Sequence, residues 1–209
     1  MLDLPALFRE HRIPPRGVIH VGAHEGQELP VYREMGFARA LLIEANPAVF
    51  ARLESAVGGA AGVELVSCAI CDREGTVELR VTSFDQSSSL LALKHHREVY
   101  PDIVESEVLA VPARRLDNLI SERTEADADF NLLVLDVQGA ELLVLRGAER
   151  VLAGLDAVVA EINFEELYEG CALADELDGF LAARGFERVA TSCYHHPSWG
   201  DALYLRTPR

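Results

Sequence analysis

The stretch Gly17-Val18-Ile19-His20-Val21-Gly22-Ala23-His24-Glu25-Gly26 carries a short, mostly apolar run straight into a turn bounded by two glycines. Short apolar runs closed by turn residues suit strands buried on both faces, and a glycine turn at their end hands the chain to a helix. The reading is a strand over 17–21, then a helix from about 25 to 35, with Gly36 in the place of a C-cap. Working outward, a second strand is read over 40–44. Asn46-Pro47 then opens a helix as N-cap and first residue, with Val49, Phe50 and Leu53 on one side. Residues 63–69 read as a third strand, 72–75 as a turn, and 76–81, which alternate apolar and polar, as a half-exposed strand. The strongest strand signal is 130–137, followed by a helix beginning near Gly139. Strands at 108–113, 155–162, 186–191 and 202–205, a helical turn at 116–120 and a helix over 173–184 complete the sheet and its layers. Such alternation marks an α/β protein: a mostly parallel sheet with helices on both faces. Residues 83–101 differ, being polar, with Ser87-Ser88-Ser89 and Lys94-His95-His96-Arg97, and are expected to lie as a loop and short helix over the top of the sheet.

With 209 residues, 49% of them hydrophobic, the chain can bury one sizeable core, and a single domain over 1–209 is expected. No apolar run approaches the roughly 20 residues that cross a bilayer. Met1-Leu2-Asp3-Leu4-Pro5 lacks the basic start and apolar stretch of a signal peptide, so a cytoplasmic protein is expected. A formal net charge of −15 opposes counterion release from polynucleotides and disfavours nucleic acid and acidic membranes as partners. The cysteines Cys68, Cys71, Cys171 and Cys193 are too scattered for a disulfide framework. Cys68-Ala69-Ile70-Cys71 lacks the second pair that zinc would want, and no metal is expected.

In open α/β sheets ligands sit beyond the carboxyl ends of the strands, which directs attention to the turn from Gly22 to Gly26. Glu44 ends the next strand, from where a carboxylate can accept the hydroxyl protons of a ribose. An adenosine-containing cofactor follows, either a dinucleotide or S-adenosylmethionine. A pyrophosphate needs bare amides and positive potential at the helix start. Here the middle glycine is missing and His24 and Glu25 occupy the first turn, where Glu25 would repel a phosphate. Sulfonium and ammonium groups tolerate carboxylates, so S-adenosylmethionine is favoured, with S-adenosylhomocysteine as product. The alternatives are a Rossmann-type NAD-dependent oxidoreductase and a non-catalytic S-adenosylmethionine-binding protein.

Four segments carry a resemblance: 18–28, Ile43-Glu44-Ala45-Asn46-Pro47, Ser87-Ser88-Ser89-Leu90, and Leu135-Asp136-Val137-Gln138-Gly139-Ala140-Glu141 with its trailing Leu145-Arg146-Gly147-Ala148. Together they resemble the FkbM-type methyltransferases, over about 16–206, and the Asp136 to Glu141 segment is the most specific. The resemblance implies a Rossmann-like class I methyltransferase fold, a seven-stranded sheet with its last strand antiparallel, and methyl transfer usually to a hydroxyl oxygen of a sugar or natural product. A small-molecule or glycan acceptor is thus the expected partner. Carried over, Gly22, Ala23 and Gly26 line the methionine end, Glu44 holds the ribose, and Cys68, Ala69 and Ile70 border the adenine. Asp136 sits beside the sulfonium, with His20, His24, Ala45 and Asn46 among the cofactor contacts. Two positions depart from the pattern: many methyltransferases have an acid where His20 stands, and many family members have Glu where Gln138 stands.

Methyl transfer is an in-line displacement, so the protein must align a nucleophile and, for a hydroxyl, take its proton. Asp136 is the first choice of base, against a structural role capping the helix near Gly139. Glu141 could cap or act. His95 is a second catalytic candidate. Ser88, Ser89, His96, Glu161, Asn163 and Trp199 are expected to line the acceptor side, where Trp199 could stack on a sugar face.

Overall fold

The structure, a computed structural model, describes residues 2–123 and 130–207. Helix α1 (Leu4–Glu10) is capped by the Asp3 carboxylate, which accepts the Ala6 N–H, and buries Phe8 edge-on against Phe37. Strand β1 (Gly17–Val21) is buried along its length. Helix α2 (Leu29–Met35) begins four residues later than expected, because Pro30 fits the first helical turn, where no N–H is needed. Residues 22–28 instead form a loop through positive φ at Gly22, His24 and Gly26, and Gly36 ends the helix in the left-handed conformation, as expected. Strand β2 (Arg39–Glu44) leads into α3 (Pro47–Val57), whose N-cap Asn46 accepts the Ala48 N–H at 3.0 Å. Next come β3 (Val63–Ser67), β4 (Ala69–Ile70), β5 (Gly75–Thr82), a 3-10 turn at Asp85–Ser87, α4 (His96–Val99), β6 (Glu105–Arg114) and α5 (Leu116–Ser121). The chain closes with β7 (Leu132–Leu135), α6 (Glu141–Arg146), α7 (Glu149–Gly154), β8 (Ala157–Asn163), α8 (Ala174–Ala182), β9 (Phe186–His196) and β10 (Trp199–Arg206). The helix expected from Gly139 starts at Glu141 and is broken at Gly147, where a Cβ would lie 2.1 Å from the Cys71 carbonyl oxygen.

Seven strands form the main sheet in the order β3-β2-β1-β7-β8-β10-β9, parallel except for β10, which runs antiparallel to both β8 and β9. One face packs on α5, α6, α7 and α8 through residues such as Ile19, Leu133 and Leu145; the other packs on α1, α2 and α3 through Val18, Tyr32 and Leu53. Residues 76–81, expected as a half-exposed strand, and 108–113, expected as another strand, are not in this sheet. They pair antiparallel as β5 and β6 and take β4 with them into a separate three-stranded sheet. The alternation explains the difference. Val77 and Leu79 point into a small core with Ala69, Cys71, Val111 and Ala113, while Glu78 alternates with them, a pattern that a sheet covered on both faces cannot seat. The expected third strand breaks for the same reason at Cys68. Among the described residues no helix is long and apolar enough to cross a membrane.

Register fixes the site. Val21 pairs with Ile43 on one side and Leu135 on the other, and Leu135 pairs with Ala160, so Gly22, Glu44, Asp136 and Glu161 arrive at one rim. Antiparallel β10 begins at that rim, setting Asp201 opposite Glu161 and Trp199 opposite Asn163. Gly22 has φ +83°, and a Cβ there would lie 1.8 Å from the Asp136 carbonyl oxygen. Gly22→Ala combines left-handed strain with a backbone clash and should lower stability by about 2–5 kcal/mol. An unchanged urea midpoint for that variant would contradict this packing.

Candidate active site

A cavity of about 500 Å³ opens at the carboxyl rim, roofed by the segment between β5 and β6. At one end lie Gly22, His24, Glu44, Ala45 and the Cys68-Ala69-Ile70 wall; at the other, His96, Tyr168, His195 and Trp199. Asp136, Gln138, Glu161 and Asp201 lie between and beneath.

Glu44 is clamped by backbone amides: the Asn46 N–H donates to Oε1 at 2.7 Å and the His24 N–H to Oε2 at 3.0 Å. The left-handed φ of His24 turns its N–H toward that carboxylate, and each oxygen keeps a lone pair for a ligand. Burial pushes the Glu44 carboxyl up, with the two amides pulling against it. The His24 ring stands between the Asp85 carboxylate, 3.0 Å from Nε2, and the Gln27 amide, 2.8 Å from Nδ1. Asp85 is also paired with Arg52, tying the roof to α3.

Glu25 requires a correction. Expected at a helix start facing the ligand, it lies outside the cavity lining, paired with Arg52 at 2.6 Å. Phosphate is opposed by other groups: Glu28, Glu44, Asp85, Asp136, Glu161 and Asp201 line the cavity, and among the described residues no lysine or arginine does.

Gln138 organises the floor. Its Nε2 donates to Asp136 Oδ1 at 2.7 Å and to Glu161 Oε2 at 3.1 Å, its Oε1 accepts the Tyr168 hydroxyl at 2.7 Å, and its main-chain carbonyl accepts the Ser89 hydroxyl at 2.7 Å. Asp136 does not cap the following helix. Glu141 reaches back from the first turn of that helix into the loop before it, accepting the Val137 and Gly139 N–H groups at 3.2 Å each. Although the Asp136 carboxylate opens into the cleft, the surrounding protein strips much of its water, and Glu28, Asp201 and Glu44 repel its charge. Together these lift it to about 6 against the pull of Gln138. Burial lifts Glu141 to about 7, and burial with its acidic neighbours raises Glu161 well above the ordinary range.

Other expected residues sit elsewhere. His95 is corrected as a catalytic candidate: it is half-exposed, 3.3 Å from Glu98 and outside the cavity lining. Its neighbour His96 is the buried one, lining the cavity with Nδ1 unpartnered. His20 lies on the α2 side of β1, outside the lining, with Nδ1 3.1 Å from the Tyr32 hydroxyl and Nε2 unpartnered; burial lowers it to about 4, so it is neutral. Ala23, Gly26 and Asn46 are also outside the lining: Gly26 backs onto Leu53, and the Asn46 side chain is engaged in its cap. Ser88 and Ser89 do line the cavity, yet their hydroxyls are already engaged, Ser88 by the Thr82 N–H and Ser89 by Gln138 and the Leu91 N–H. Asn163 is buried outside the lining with both amide atoms unpartnered. Glu28, Tyr168 and Asp201 were not anticipated. The Glu28-Leu29-Pro30 helix start could have found the first, whereas Asp201 emerges only from antiparallel register. Among the described residues no group of three or more His, Cys, Asp or Glu side chains is placed to hold a metal ion.

A seven-stranded sheet of this order, with β10 reversed and a cleft at its carboxyl rim, is the fold of the class I S-adenosylmethionine-dependent methyltransferases. Within that class, the Methyltransferase FkbM domain family matches residues 20–188, and the chain belongs to it. The chain is 27% identical over 187 residues to 2-O-methyltransferase NoeI of Sinorhizobium fredii, covering 84% of this chain and 76% of that protein. Among solved structures it is similar to the FkbM methyltransferase of Methylobacillus flagellatus, with TM-score 0.56 and 16% identity over 92% of this chain; it spans only 44% of that longer one. The 1,6-didemethyltoxoflavin-N1-methyltransferase of Burkholderia thailandensis, solved with that substrate and S-adenosylhomocysteine, shares the fold with TM-score 0.53 and 14% identity, over 98% of this chain and 76% of that one.

The raised carboxyls have a consequence for stability. An acid whose folded pKa is raised holds its proton longer in the native state, so stability is lost as pH climbs through the folded value. His20, lowered to about 4, acts oppositely, but only up to its ordinary value of 6.5. Between pH 7 and 8 that opposition, shared by His96, which burial also lowers, is small, while Glu141 and Glu161 still act. The urea midpoint of the free protein should therefore fall across this window, and Glu141→Gln, which keeps an acceptor for the Val137 and Gly139 amides, should flatten the slope. A midpoint that rises across it would contradict the site's electrostatics.

Proposed function

We propose that this chain binds S-adenosylmethionine at the glycine-turn end of the cavity and methylates a hydroxyl oxygen of a sugar or glycosylated small molecule at the aromatic end. The observation that carries the reading is continuity: a single cavity joins the clamped Glu44 carboxylate to the Asp136–Gln138–Glu161 floor. The residues fit the cofactor chemically. The free lone pairs of Glu44 accept ribose hydroxyl protons, Cys68, Ala69 and Ile70 offer an apolar wall to adenine, and the Gly22 backbone borders the methionine end. The acidic lining matches a ligand with a net positive charge. When bound, S-adenosylmethionine supplies a methyl carbon already activated by its sulfonium.

The protein's remaining work is alignment and proton removal. Asp136 Oδ1 is held by Gln138, which leaves Oδ2 to accept the proton of an acceptor hydroxyl as the oxygen–methyl bond forms. A carboxyl near 6 is ionised at neutral pH and still basic enough for the task. The choice of oxygen as the methylated atom also draws support from the name of the Sinorhizobium relative.

Isothermal titration with S-adenosylhomocysteine and with NAD tests the cofactor. S-adenosylhomocysteine alone should bind, and Glu44→Ala should weaken it by about 10–100-fold, the range for losing hydrogen bonds to a charged group. Binding of NAD without S-adenosylhomocysteine would sink the reading. With a methyl-labelled donor and a saccharide acceptor, Asp136→Asn should slow transfer by about 10²–10⁴-fold.

A further inference from the structure

We infer that the aromatic end of the cavity is an acceptor subsite for neutral or ammonium-bearing polyols that rejects anionic ones, with Glu161 and Asp201 setting the choice. The inference rests on the methyl-transfer reading above and adds the charge class of the acceptor. Glu161 and Asp201 face each other directly across β8 and β10, on the same side of the sheet, two acids whose simultaneous ionisation is unfavourable. Neither forms an ion pair among the described residues; Glu161 accepts only the Gln138 amide, and the His195 imidazole lies near Asp201. The cofactor does not account for this pair. In the strand order, Asp201 on β10 stands four places from Glu44 on β2, about 19 Å at the usual strand spacing.

Two further observations point to a ligand here. His96 is 3% exposed, lines this end, and leaves Nδ1 without a partner. A buried polar atom is seldom left so, and a ligand hydroxyl, which can donate or accept, would satisfy it. The aromatic surface has the matching form. His195 stacks on Trp199 at 5.5 Å and 11°, and the Trp199 Nε1–H donates to the Tyr100 hydroxyl at 3.2 Å, holding the indole in place. A flat aromatic face packs against the C–H face of a pyranose and attracts an ammonium through its quadrupole. A uronate, a sugar phosphate or a nucleoside-diphosphate sugar would instead bring its charge against carboxylates, with no lysine or arginine among the described residues lining the cavity.

Trp199 is the only tryptophan in the sequence, so intrinsic fluorescence reports this subsite directly. The test titrates protein loaded with S-adenosylhomocysteine with glucosamine, glucose and glucuronate, which differ mainly in charge. Glucosamine and glucose should change the emission, and glucosamine should bind at least about tenfold more tightly than glucuronate at low salt. Asp201→Asn should shrink that ratio to about threefold or less, with S-adenosylhomocysteine binding reporting the fold of the variant. Asp201→Ser provides the same readout if the first variant does not fold. Glucuronate binding as tightly as glucosamine, or no response to any of the three, overturns the inference. Loss of S-adenosylhomocysteine binding by the wild-type protein overturns the methyl-transfer reading as well, whereas retained binding with a preference for glucuronate overturns only this one.

Discussion

The side-chain amide of Gln138 is the interaction on which the floor of the cavity depends. One NH2 group joins two carboxylates from different strands, Asp136 and Glu161, and the carbonyl of the same amide receives Tyr168 from the loop beyond β8. Its main chain receives Ser89 from the roof. An amide is suited to this place because it gives hydrogens to two acids and takes one from a phenol at the same time. A carboxylate at 138 would offer no hydrogen to either neighbour and would add a third negative charge. The left-handed backbone at Gln138 aims the side chain back across the strand ends, and it also delays the helix to Glu141. Glu141 reaches back to hold two amides of the intervening loop, and Asp136 is left to face the cleft.

What the sequence made legible was local. Buried strands announce themselves by short apolar runs, and parallel order carries their carboxyl ends to one rim, so Gly22, Glu44, Asp136 and Glu161 could be placed together from pattern alone. What stayed hidden depends on partners distant in the chain. Asp201 enters through an antiparallel pairing with Glu161, and Tyr168 through the position of Gln138; neither pairing leaves a periodic trace. His95 and His96 show the limit on a smaller scale. Adjacent residues on a helical turn point about 100° apart, so one histidine faces solvent and the next the cavity, and composition cannot say which. Glu25 shows it again, since its charge is spent on Arg52, far along the chain on α3.

The same carboxylates that define the cavity work against the fold. Glu28, Glu44, Asp136, Glu161 and Asp201 are all raised, each chiefly by lost solvation and several by one another, so the free protein is strained electrostatically where its ligands are expected. A cleft of this kind suits cationic or hydroxyl-rich ligands, whose binding would relieve the repulsion it stores.

His20 becomes intelligible in that setting. Its position commonly carries an acid in methyltransferases, which would suit a cleft with fewer negative groups. Here Glu28, Glu44 and Asp136 already crowd the turn, and burial at position 20 is nearly complete. A further carboxylate there would pay desolvation and face like charges at once. A neutral imidazole anchored to Tyr32 meets neither penalty: it packs edge-on against the ring, fills the space beneath the turn and leaves the field above it to the acids that line the cavity.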